Sequence, residues 1–399
     1  MLKEGIARSE SRKSAVFAIL STASNTLPCS RKHSTVPGFL PTFLKLNPRS
    51  VSSKVEANQS NFTISYLIDS CGLAPEAASL ASQKLQLHSA ERPDSVLTLL
   101  RDYGFSNSQI SNVVRKRPLL LLANPNDTLL PKLQFFHSIG ISSSALARIL
   151  AADPTILTRS LEKQIIPCYN FLKSVLLSDE KVVAALKRTS WVFLEDHSKK
   201  LIPNLSLLRS IGVPDSCISL LLAHFPEALI QKNEHFTKIV EEIKEMGFDP
   251  TKSTFVLAIH VIAGNKSIYN RCFEVYQRWG WSEDEIVMAF RKHPNCMLLS
   301  ENKLNKGMDF FVNKMGWPSR MIAKCPVVLF FSLEKRIKPR CSVVQVLRMK
   351  GLIKKTLSLS TVLLPEEKRF LDKFVVKYEH QVPQLWSVYQ MKLDFNTLL

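Results

Sequence analysis

Motifs for catalysis and nucleotide binding are missing from this 399-residue sequence. It contains no G-x-G-x-x-G segment, no G-x-x-x-x-G-K-[ST] loop, no H-E-x-x-H pair and no G-x-S-x-G elbow. Dinucleotide binding, P-loop phosphate binding, zinc-protease catalysis and serine-hydrolase catalysis each depend on one of these patterns. We therefore expect a protein that is not an enzyme and that uses no cofactor.

Paired cysteines and long hydrophobic runs are also absent. The eight cysteines form no C-x-x-C pair, and the nearest two, Cys325 and Cys341, are 16 residues apart. This spacing excludes a disulfide framework and a zinc site, and His293 with Cys296 lacks a second ligand pair. The longest apolar stretch, residues 255–263, contains His260 and is far shorter than the ~20 residues of a membrane span. We expect a chain that does not enter a membrane and works in a reducing compartment.

Acidic residues are scarce relative to basic ones. The sequence has 53 Lys and Arg against 34 Asp and Glu, a net charge of +19. Residues 1–60 contribute nine basic and three acidic residues, or +6, which leaves +13 for the rest. A domain this basic predicts a polyanionic partner such as nucleic acid. The alternative is that the charges only keep solvated helix faces soluble.

Glycine is infrequent, but eight of the twelve glycines recur at regular intervals. They lie 32 to 36 residues apart, except for one step of 72 residues from Gly140 to Gly212, whose midpoint is Leu176. The eight are Gly72, Gly104, Gly140, Gly212, Gly247, Gly280, Gly316 and Gly351. A repeat of this period is typical of stacked helical units, in which binding uses an extended surface.

Each unit has the same predicted plan. The glycine is the corner after one helix, and a helix-starting residue follows two positions later: Ser106, Ser142, Ser178, Pro214, Asp249, Ser282 and Pro318. Apolar residues six, nine and ten positions after the glycine share one face of this first helix. A proline ends it, as in Pro118, Pro154, Pro226, Pro294 and Pro326, with Ser190 as a substitute, and a short buried turn follows. A second cap then starts the second helix: Asn124, Ser160, Asp196, Ser267, Ser300 and Ser332.

The second helix contains a proline of its own in four units. These inner prolines are Pro131, Pro167, Pro203 and Pro339, and each is expected to bend its helix. Neither strand alternation nor strand-type turns dominate anywhere. The sequence therefore predicts an all-α fold, a right-handed-type α-solenoid or superhelix of about 36-residue units, each with two helices and a short 3₁₀ turn.

The first sixty residues do not join the repeat. They hold eleven serines and nine Lys or Arg but only three acids, a composition typical of an organelle transit peptide. A disordered tail is the alternative. The arginines near the start favour a mitochondrion over a chloroplast. We expect a leader at 1–60, a repeat array at 61–355 and a capping helix and tail at 356–399.

Basic residues cluster at the predicted end of the first helix in several units. If the units stack, these clusters form a ridge of charge that could follow a phosphate backbone. Attraction of cations to helix C-termini is the alternative explanation. A denser group lies at a helix start, where the helix dipole disfavours cations. The candidate nucleic-acid-binding residues are Arg115, Lys116, Arg117, Lys187, Arg188, Arg291, Lys292, Lys324, Lys335, Arg336, Lys338 and Arg340.

The C-terminal third resembles a known family. Met315-Gly-Trp317, Ile322-Ala-Lys-Cys-Pro326 and Ser332-Leu-Glu-Lys-Arg-Ile-Lys-Pro-Arg340 resemble the proline-anchored repeat of the mitochondrial transcription termination factor (mTERF) family, and most of all its plant branch. Arg117-Pro-Leu-Leu-Leu121 and Asp153-Pro-Thr-Ile-Leu157 resemble further copies. Two units depart from the pattern. Ser190 stands at the proline position of one unit, and the other has no proline near His260.

The resemblance implies a superhelix of helical triplets with a basic concave groove that binds double-stranded nucleic acid in an organelle. It also implies that Arg117, Arg188, Arg291, Arg336 and Arg340 are candidates for base contacts. Three functions stay open at this point: a monomeric regulator of organelle transcription that binds double-stranded DNA, an RNA-binding factor for intron splicing or transcript stability, and a protein-interaction scaffold.

Overall fold

The computed structural model describes residues 53–194, 197–354 and 357–393, and these residues are helical without a strand. Most of the predicted leader and the cap candidate Asp196 lie outside the described residues. The first helix that the structure describes begins at Ser53, inside the range assigned to the leader. The α-helices of this part of the chain are α1 Ser53–Asp69, α2 Pro75–Ser82, α3 Glu91–Asp102, α4 Asn107–Lys116, α5 Leu130–Ser138, α6 Ser143–Ala152, α7 Ile166–Leu176, α8 Asp179–Arg188, α9 Leu201–Ser210, α10 Asp215–His224, α11 Pro226–Leu229, α12 Asn233–Glu245, α13 Ser253–Arg278, α14 Glu283–Lys292, α15 Glu301–Asp309, α16 Ser319–Ala323, α17 Lys338–Met349, α18 Leu359–Leu363, α19 Glu367–Phe374 and α20 Leu385–Tyr389.

First helices of successive units pack against one another. Contacts run from α2 to α4, α6, α8, α10, α13, α14 and α16 in turn, which is the stacking of an α-solenoid. The predicted apolar positions of these helices are buried; Ile110, Val113 and Val114 of α4, for example, are each 1% exposed. The predicted all-α solenoid is confirmed.

The eight recurring glycines all adopt positive φ, between 64° and 90°. They occupy the left-handed corner where one helix ends and the next begins, as predicted. In the unit without a glycine, the left-handed residue is Leu177, at φ 60°, rather than Leu176. Leu176 is instead the fully buried last residue of α7. The corner thus lies one residue later than predicted, and Ser178, the N-cap of α8, follows Leu177 directly.

Predicted first-helix caps are found in six units. Ser106 and Ser282 form complete capping boxes with Gln109 and Glu285. The prediction for Asp249 was wrong, because its carboxylate accepts from the backbone N–H and the hydroxyl of Thr251. That local turn delays the start of α13 to Ser253.

The helix-ending prolines begin short 3₁₀ segments, as predicted. These segments are Pro118–Leu122, Pro154–Thr158, Pro294–Leu298 and Pro326–Phe330, and Ser190–Phe193 is formed at the serine substitute. Pro226 instead begins the four-residue helix α11. Each turn buries one or more apolar side chains, such as Leu121 and Ile156, beneath the second helix.

A π-helical turn precedes the inner proline in three units. The turns are Pro125–Leu129, Leu161–Ile165 and Leu333–Ile337, and they lead directly into α5, α7 and α17. In each turn a backbone N–H donates to the carbonyl five residues earlier, as from Ile337 to Ser332 at 3.0 Å. Proline at the second position of the following helix has no N–H and crowds the preceding turn, so the wider π geometry accommodates it. A further π turn, Phe310–Lys314, ends the second helix that begins with α15.

Counted from the unit that begins at Gly104, the fifth unit, which begins at Gly247, departs from this plan. Its two helices are continuous in α13, and only Asn265, at φ −145° and ψ 34°, leaves helical geometry. The predicted second cap Ser267 lies inside α13, so that prediction was wrong. The unit has no proline at the position where others begin a 3₁₀ turn, and the helix therefore runs on to a kink.

Within residues 357–393, the described part of the C-terminal segment, the chain forms three short α-helices rather than the single capping helix predicted. These are α18, α19 and α20, with a 3₁₀ turn Val376–Tyr378 between the last two. Their apolar residues Val362, Phe370 and Leu385 are buried, and α18, α19 and α20 all contact α17. We call residues 359–389 the C-terminal cap.

Candidate nucleic-acid interface

The basic clusters lie at the ends of first helices, as the sequence predicts. Arg115 and Lys116 end α4, Lys187 and Arg188 end α8, and Arg291 and Lys292 end α14. Lys324 is the C-cap of the short helix α16. Because the first helices stack, their C-terminal ends form one edge of the array, which we call the basic edge.

Neighbouring cations of a cluster have different surroundings: the first is exposed, and the second contacts the next unit. The first cation, at position 11 of the unit, is Arg115, Lys187 or Arg291, and all three are exposed. None of them contacts the next unit through a hydrogen bond or ion pair among the described residues; Arg115 donates only to Asn112 of its own helix, at 2.7 Å. These side chains are therefore available to a ligand.

The second cation, at position 12, joins its unit to the next one. Lys116 donates to the carbonyls of Ala151 and Ala152 at the end of α6, at 3.4 and 2.5 Å. Lys292 donates in the same way to the carbonyl of Lys324, at 3.1 Å. A cation at a helix C-terminus satisfies carbonyls that have no partner inside the helix. The helix-dipole explanation therefore accounts for these two lysines.

Arg117 and Arg188 are also held by the following unit. Arg117 donates to the hydroxyl of Thr155 at 2.9 Å. Arg188 lies 3.6 Å from the carboxylate of Glu227, and its guanidinium carbon is 6.0 Å from the ring centre of Phe225. Both arginines remain partly exposed, but their guanidinium groups already have partners in the following unit.

The basic edge is not continuous. The second unit has Ala151, Ala152 and Asp153 at the positions where its neighbours have cations, and the fourth has Ala223, His224 and Phe225. Hydrogen bonds from Thr155 and Ser190 outweigh burial and hold the pKa of Asp153 below its usual value, so it adds a negative charge beside Arg117. The charge is therefore concentrated on alternate units in the first half of the array.

The dense segment Ser332–Arg340 is mostly structural. Arg336 donates to the carbonyls of Leu363, Leu364 and Pro365 at 3.0, 3.3 and 2.8 Å, and its guanidinium carbon lies 4.4 Å from the ring centre of Phe331. These contacts attach the C-terminal cap to α17. They do not leave the guanidinium free to bind a base.

Arg340 lies inside the fold, with only 1% of its side chain exposed. It donates to the carbonyl of Pro365 at 2.7 Å, and its guanidinium carbon lies 4.7 Å from the ring centre of Phe370. Burial lowers the pKa of both Arg336 and Arg340. The expectation that Arg340 faces a ligand is therefore corrected: a fully buried side chain cannot contact nucleic acid.

The two lysines of the same segment have different surroundings. Lys338 pairs with Glu334 one turn away, at 2.6 Å. Lys335 is exposed and has no partner among the described residues. The cations that remain available are Arg115, Lys187, Arg291, Lys324 and Lys335.

The residue after each inner proline makes a second set of contacts, which the sequence did not predict. Lys132, Cys168, Asn204 and Arg340 all follow such a proline, and each donates to a carbonyl of the next unit's turn. The bonds run from Lys132 to Leu157 at 2.5 Å, from Cys168 to Val192 at 3.2 Å and from Asn204 to Leu229 at 2.8 Å. Burial lowers the pKa of Lys132. Aligning the units on their inner prolines reveals this position as one occupied by donors.

The described residues contain no group of three or more His, Cys, Asp and Glu side chains placed to hold a metal ion. Within the same ranges, no helix combines the length and the apolar content needed to cross a membrane. The candidate site is thus a surface of cations on helix ends.

Comparison with known proteins agrees with this arrangement of repeats. The chain is 28% identical over 101 residues to the transcription termination factor MTERF15, mitochondrial, of Arabidopsis thaliana, a segment covering 25% of this chain and 23% of that protein. It is 24% identical over 152 residues to the transcription termination factor MTEF18, mitochondrial, of the same plant, covering 38% of this chain and 27% of that protein. The aligned segments thus span about a quarter of each relative.

A family model described as mTERF matches residues 97–261 and 256–371, which is more than half of the chain. The two matches meet at the irregular fifth unit, where α13 replaces the usual pair of helices. Together with the repeated corners, 3₁₀ turns and inner prolines, this match shows that the chain belongs to the mTERF family.

Proposed function

We propose that this protein is an organelle regulator of gene expression that binds double-stranded DNA along the basic edge. The observation that carries the proposal is the exposure of Arg115, Lys187 and Arg291 at equivalent positions of three stacked units. Lys324 and Lys335 extend the available charge toward the C-terminus. The function requires no catalytic group and no cofactor.

Phosphate contacts account for this use of cations. A DNA duplex carries about one negative charge per 1.7 Å of its axis, and lysine or arginine that neutralises a phosphate releases a bound counterion. Cations spaced along helix ends can therefore contact a duplex in many registers. Sequence readout would need further contacts with base edges in a groove.

The cellular setting is inferred from the relatives and the leader. Both Arabidopsis relatives are named as mitochondrial transcription termination factors. The serine-rich, basic composition of residues 1–60 supports import, with the array at 61–355 and the closing segment at 356–399. We infer a mitochondrial location, with the chloroplast as the alternative, and one copy of the chain on its target.

An RNA target is the second candidate, and Trp191 is the observation that favours it. Trp191 is 55% exposed and lies four residues after Lys187, in the 3₁₀ turn Ser190–Phe193 that follows α8. An exposed indole beside a cation offers a stacking surface to an unpaired base, which RNA presents in its loops and a DNA duplex does not. Crosslinking from purified organelles, with bound DNA and RNA sequenced in parallel, separates the two targets.

The direct test of the basic edge is the salt dependence of duplex binding. The variant Arg115→Gln/Lys187→Gln/Arg291→Gln removes three available cations. We expect the slope of log affinity against log salt to fall by about 3, because each phosphate contact contributes about 0.9. The matched control Lys238→Gln/Lys244→Gln/Lys306→Gln removes the same charge from exposed positions on the second helices α12 and α15.

The control variant should keep the slope of the wild-type protein. Equal losses in both variants would show that net charge alone drives binding and would contradict the assignment to the basic edge. Binding that is insensitive to salt would contradict phosphate recognition altogether.

A further inference from the structure

A cavity opens between the fifth and sixth units, beside the basic edge. Its rim is the corner glycine Gly247 and the first turn of α13, and its far side is the last turn of α14. Phe248 and Met288 form apolar walls, and Arg291 and Lys292 supply the charge. This is the place on the edge where an available cation borders a concave surface.

The guanidinium of Arg291 lies directly over Gly247. A methyl group placed on Gly247 would be 3.2 Å from both Cζ and Nη1 of Arg291. Glycine, which is also required here by a φ of +79°, therefore leaves the space that the guanidinium occupies. The guanidinium thus lies against the corner at the rim of the cavity.

No acidic group neutralises Arg291. It forms none of the ion pairs among the described residues and donates no hydrogen bond to any of them. Asp249 also lines the cavity, but its carboxylate accepts both hydrogen bonds of Thr251. Lys292 is fixed close by through its bond to the carbonyl of Lys324. The cavity thus has more positive than negative charge.

The start of α13 adds polar groups without adding negative charge. Its N-cap, Lys252, makes no side-chain hydrogen bond, and its first turn contains no acidic residue. The hydroxyl-bearing Thr254 of this turn faces the cavity. Polar side chains of α13 and α14 therefore line the same space.

We propose that this cavity binds one phosphate group, with the Arg291 guanidinium as its main ligand and Thr254 beside it. The inference rests on the proposed function, since the nucleic-acid backbone is the expected source of the phosphate. It also assigns Arg291 to a different contact from base recognition. A planar guanidinium binds two phosphate oxygens at once, which a lysine ammonium cannot do.

The test compares two substitutions that keep the charge. Arg291→Lys should weaken binding of a 20-base-pair DNA duplex about five- to tenfold, because the two-point contact is lost. Arg115→Lys changes the equivalent position of the unit that begins at Gly104, where Arg115 donates to Asn112 of its own helix, and should change the affinity less than twofold. Asp249→Asn should tighten binding about two- to threefold, since it removes a negative charge and keeps an acceptor for Thr251.

Thermal unfolding of each variant checks that the fold is intact. Equal affinities for Arg291→Lys and Arg115→Lys would overturn the proposal, as would weaker binding by Asp249→Asn.

A second measurement separates failure of the site from failure of the proposed function. Phenylglyoxal modifies accessible arginines, and mass spectrometry gives the modification rates of Arg291 and Arg115 separately. Duplex DNA should protect Arg291 at least threefold more than Arg115. Inorganic phosphate alone, at tens of millimolar, should also protect Arg291 from phenylglyoxal more than it protects Arg115.

Protection by phosphate without any duplex binding would keep the cavity and reject the proposed function. Duplex binding without preferential protection of Arg291 would keep the proposed function and reject the phosphate site in the cavity.

Discussion

The ammonium of Lys116 lies 2.5 Å from the carbonyl oxygen of Ala152, 36 residues further along the chain and one unit further along the array. Its sequence neighbour Arg115 points to solvent and contacts only Asn112. Adjacent cations of one cluster thus have different surroundings, one holding two units together and one exposed to solvent. This division can be measured.

Lys116→Gln should destabilise the fold, and Arg115→Gln should not. We expect Lys116→Gln to lower the free energy of unfolding by about 1 kcal/mol, since a charged donor to two carbonyls is lost at a partly exposed site. Arg115→Gln should stay within about 0.5 kcal/mol of the wild-type protein but weaken duplex binding. Urea denaturation and duplex titration of both variants make the comparison. A stable Lys116→Gln variant with weak binding would reverse the assignment.

Arg340→Met should release the C-terminal cap. Removing the buried guanidinium deletes one of the two hydrogen bonds to the carbonyl of Pro365, which keeps its donor on Arg336, and also the contact with the Phe370 ring. We expect a loss of about 2 kcal/mol. Hydrogen exchange should accelerate across residues 359–389 before it does so in α4 or α6. The control Lys335→Met changes an exposed cation of the same segment and should leave exchange in the cap unchanged. Unaltered protection in Arg340→Met would mean that apolar packing alone holds the cap.

Leu177→Gly should stabilise the protein. Leu177 is 80% exposed and adopts φ 60°, so its side chain gains little burial and suffers the steric cost of left-handed geometry. We expect a gain of about 1 kcal/mol. The reciprocal change Gly212→Val, at φ +83° with no atom within 4 Å of the added Cβ, should cost about 1 kcal/mol or more through the backbone alone. Melting temperatures that move in the opposite sense would show that these corners relax.

His260 should make stability fall in acid. Burial, with a smaller contribution from Arg188, lowers the pKa of His260 to about 3 from an ordinary 6.5. Between these values the unfolded chain binds a proton that the folded chain does not, so stability is full above pH 6.5 and declines as the pH falls toward 3. The decline approaches about 1.4 kcal/mol per pH unit, or about 2 kcal/mol at pH 5.

The control for His260 is His260→Phe, which can retain the stack on Phe225, where the ring centres are 3.7 Å apart. Its unfolding free energy should lose about 2 kcal/mol less than the wild-type protein between pH 7 and pH 5. The same pH dependence in both proteins would place the titrating group elsewhere.

Local chemistry in the sequence was sufficient to predict the repeat. Glycine corners, serine caps and helix-ending prolines act within a few residues, so their spacing gives the helix order and the buried faces directly. The failures at Asp249 and Ser267 have a local cause as well. Without a proline near His260, nothing stops α13, and Asp249 binds Thr251 instead of capping a helix.

The candidate site was less predictable because its partners lie one unit away. Nothing within the Ser332–Arg340 segment shows that Arg336 and Arg340 reach the carbonyls of Leu363 and Pro365. Their charge looked unfavourable at a helix start and suggested a ligand. The carbonyls that balance it come from residues 23 to 29 positions later, and only the stacking of units brings them close.

The contacts after the inner prolines give the array a direction. Lys132, Cys168, Asn204 and Arg340 all donate toward the following unit, and none of these bonds points back. Removing units from the N-terminal end would uncover carbonyls, which water can solvate at little cost. Removing them from the C-terminal end would instead uncover donors, which water also solvates. The two ends of the array are therefore chemically different, with carbonyl acceptors presented at its beginning and donors at its end, and in this chain the C-terminal cap supplies the carbonyl that the last of these donors, Arg340, uses.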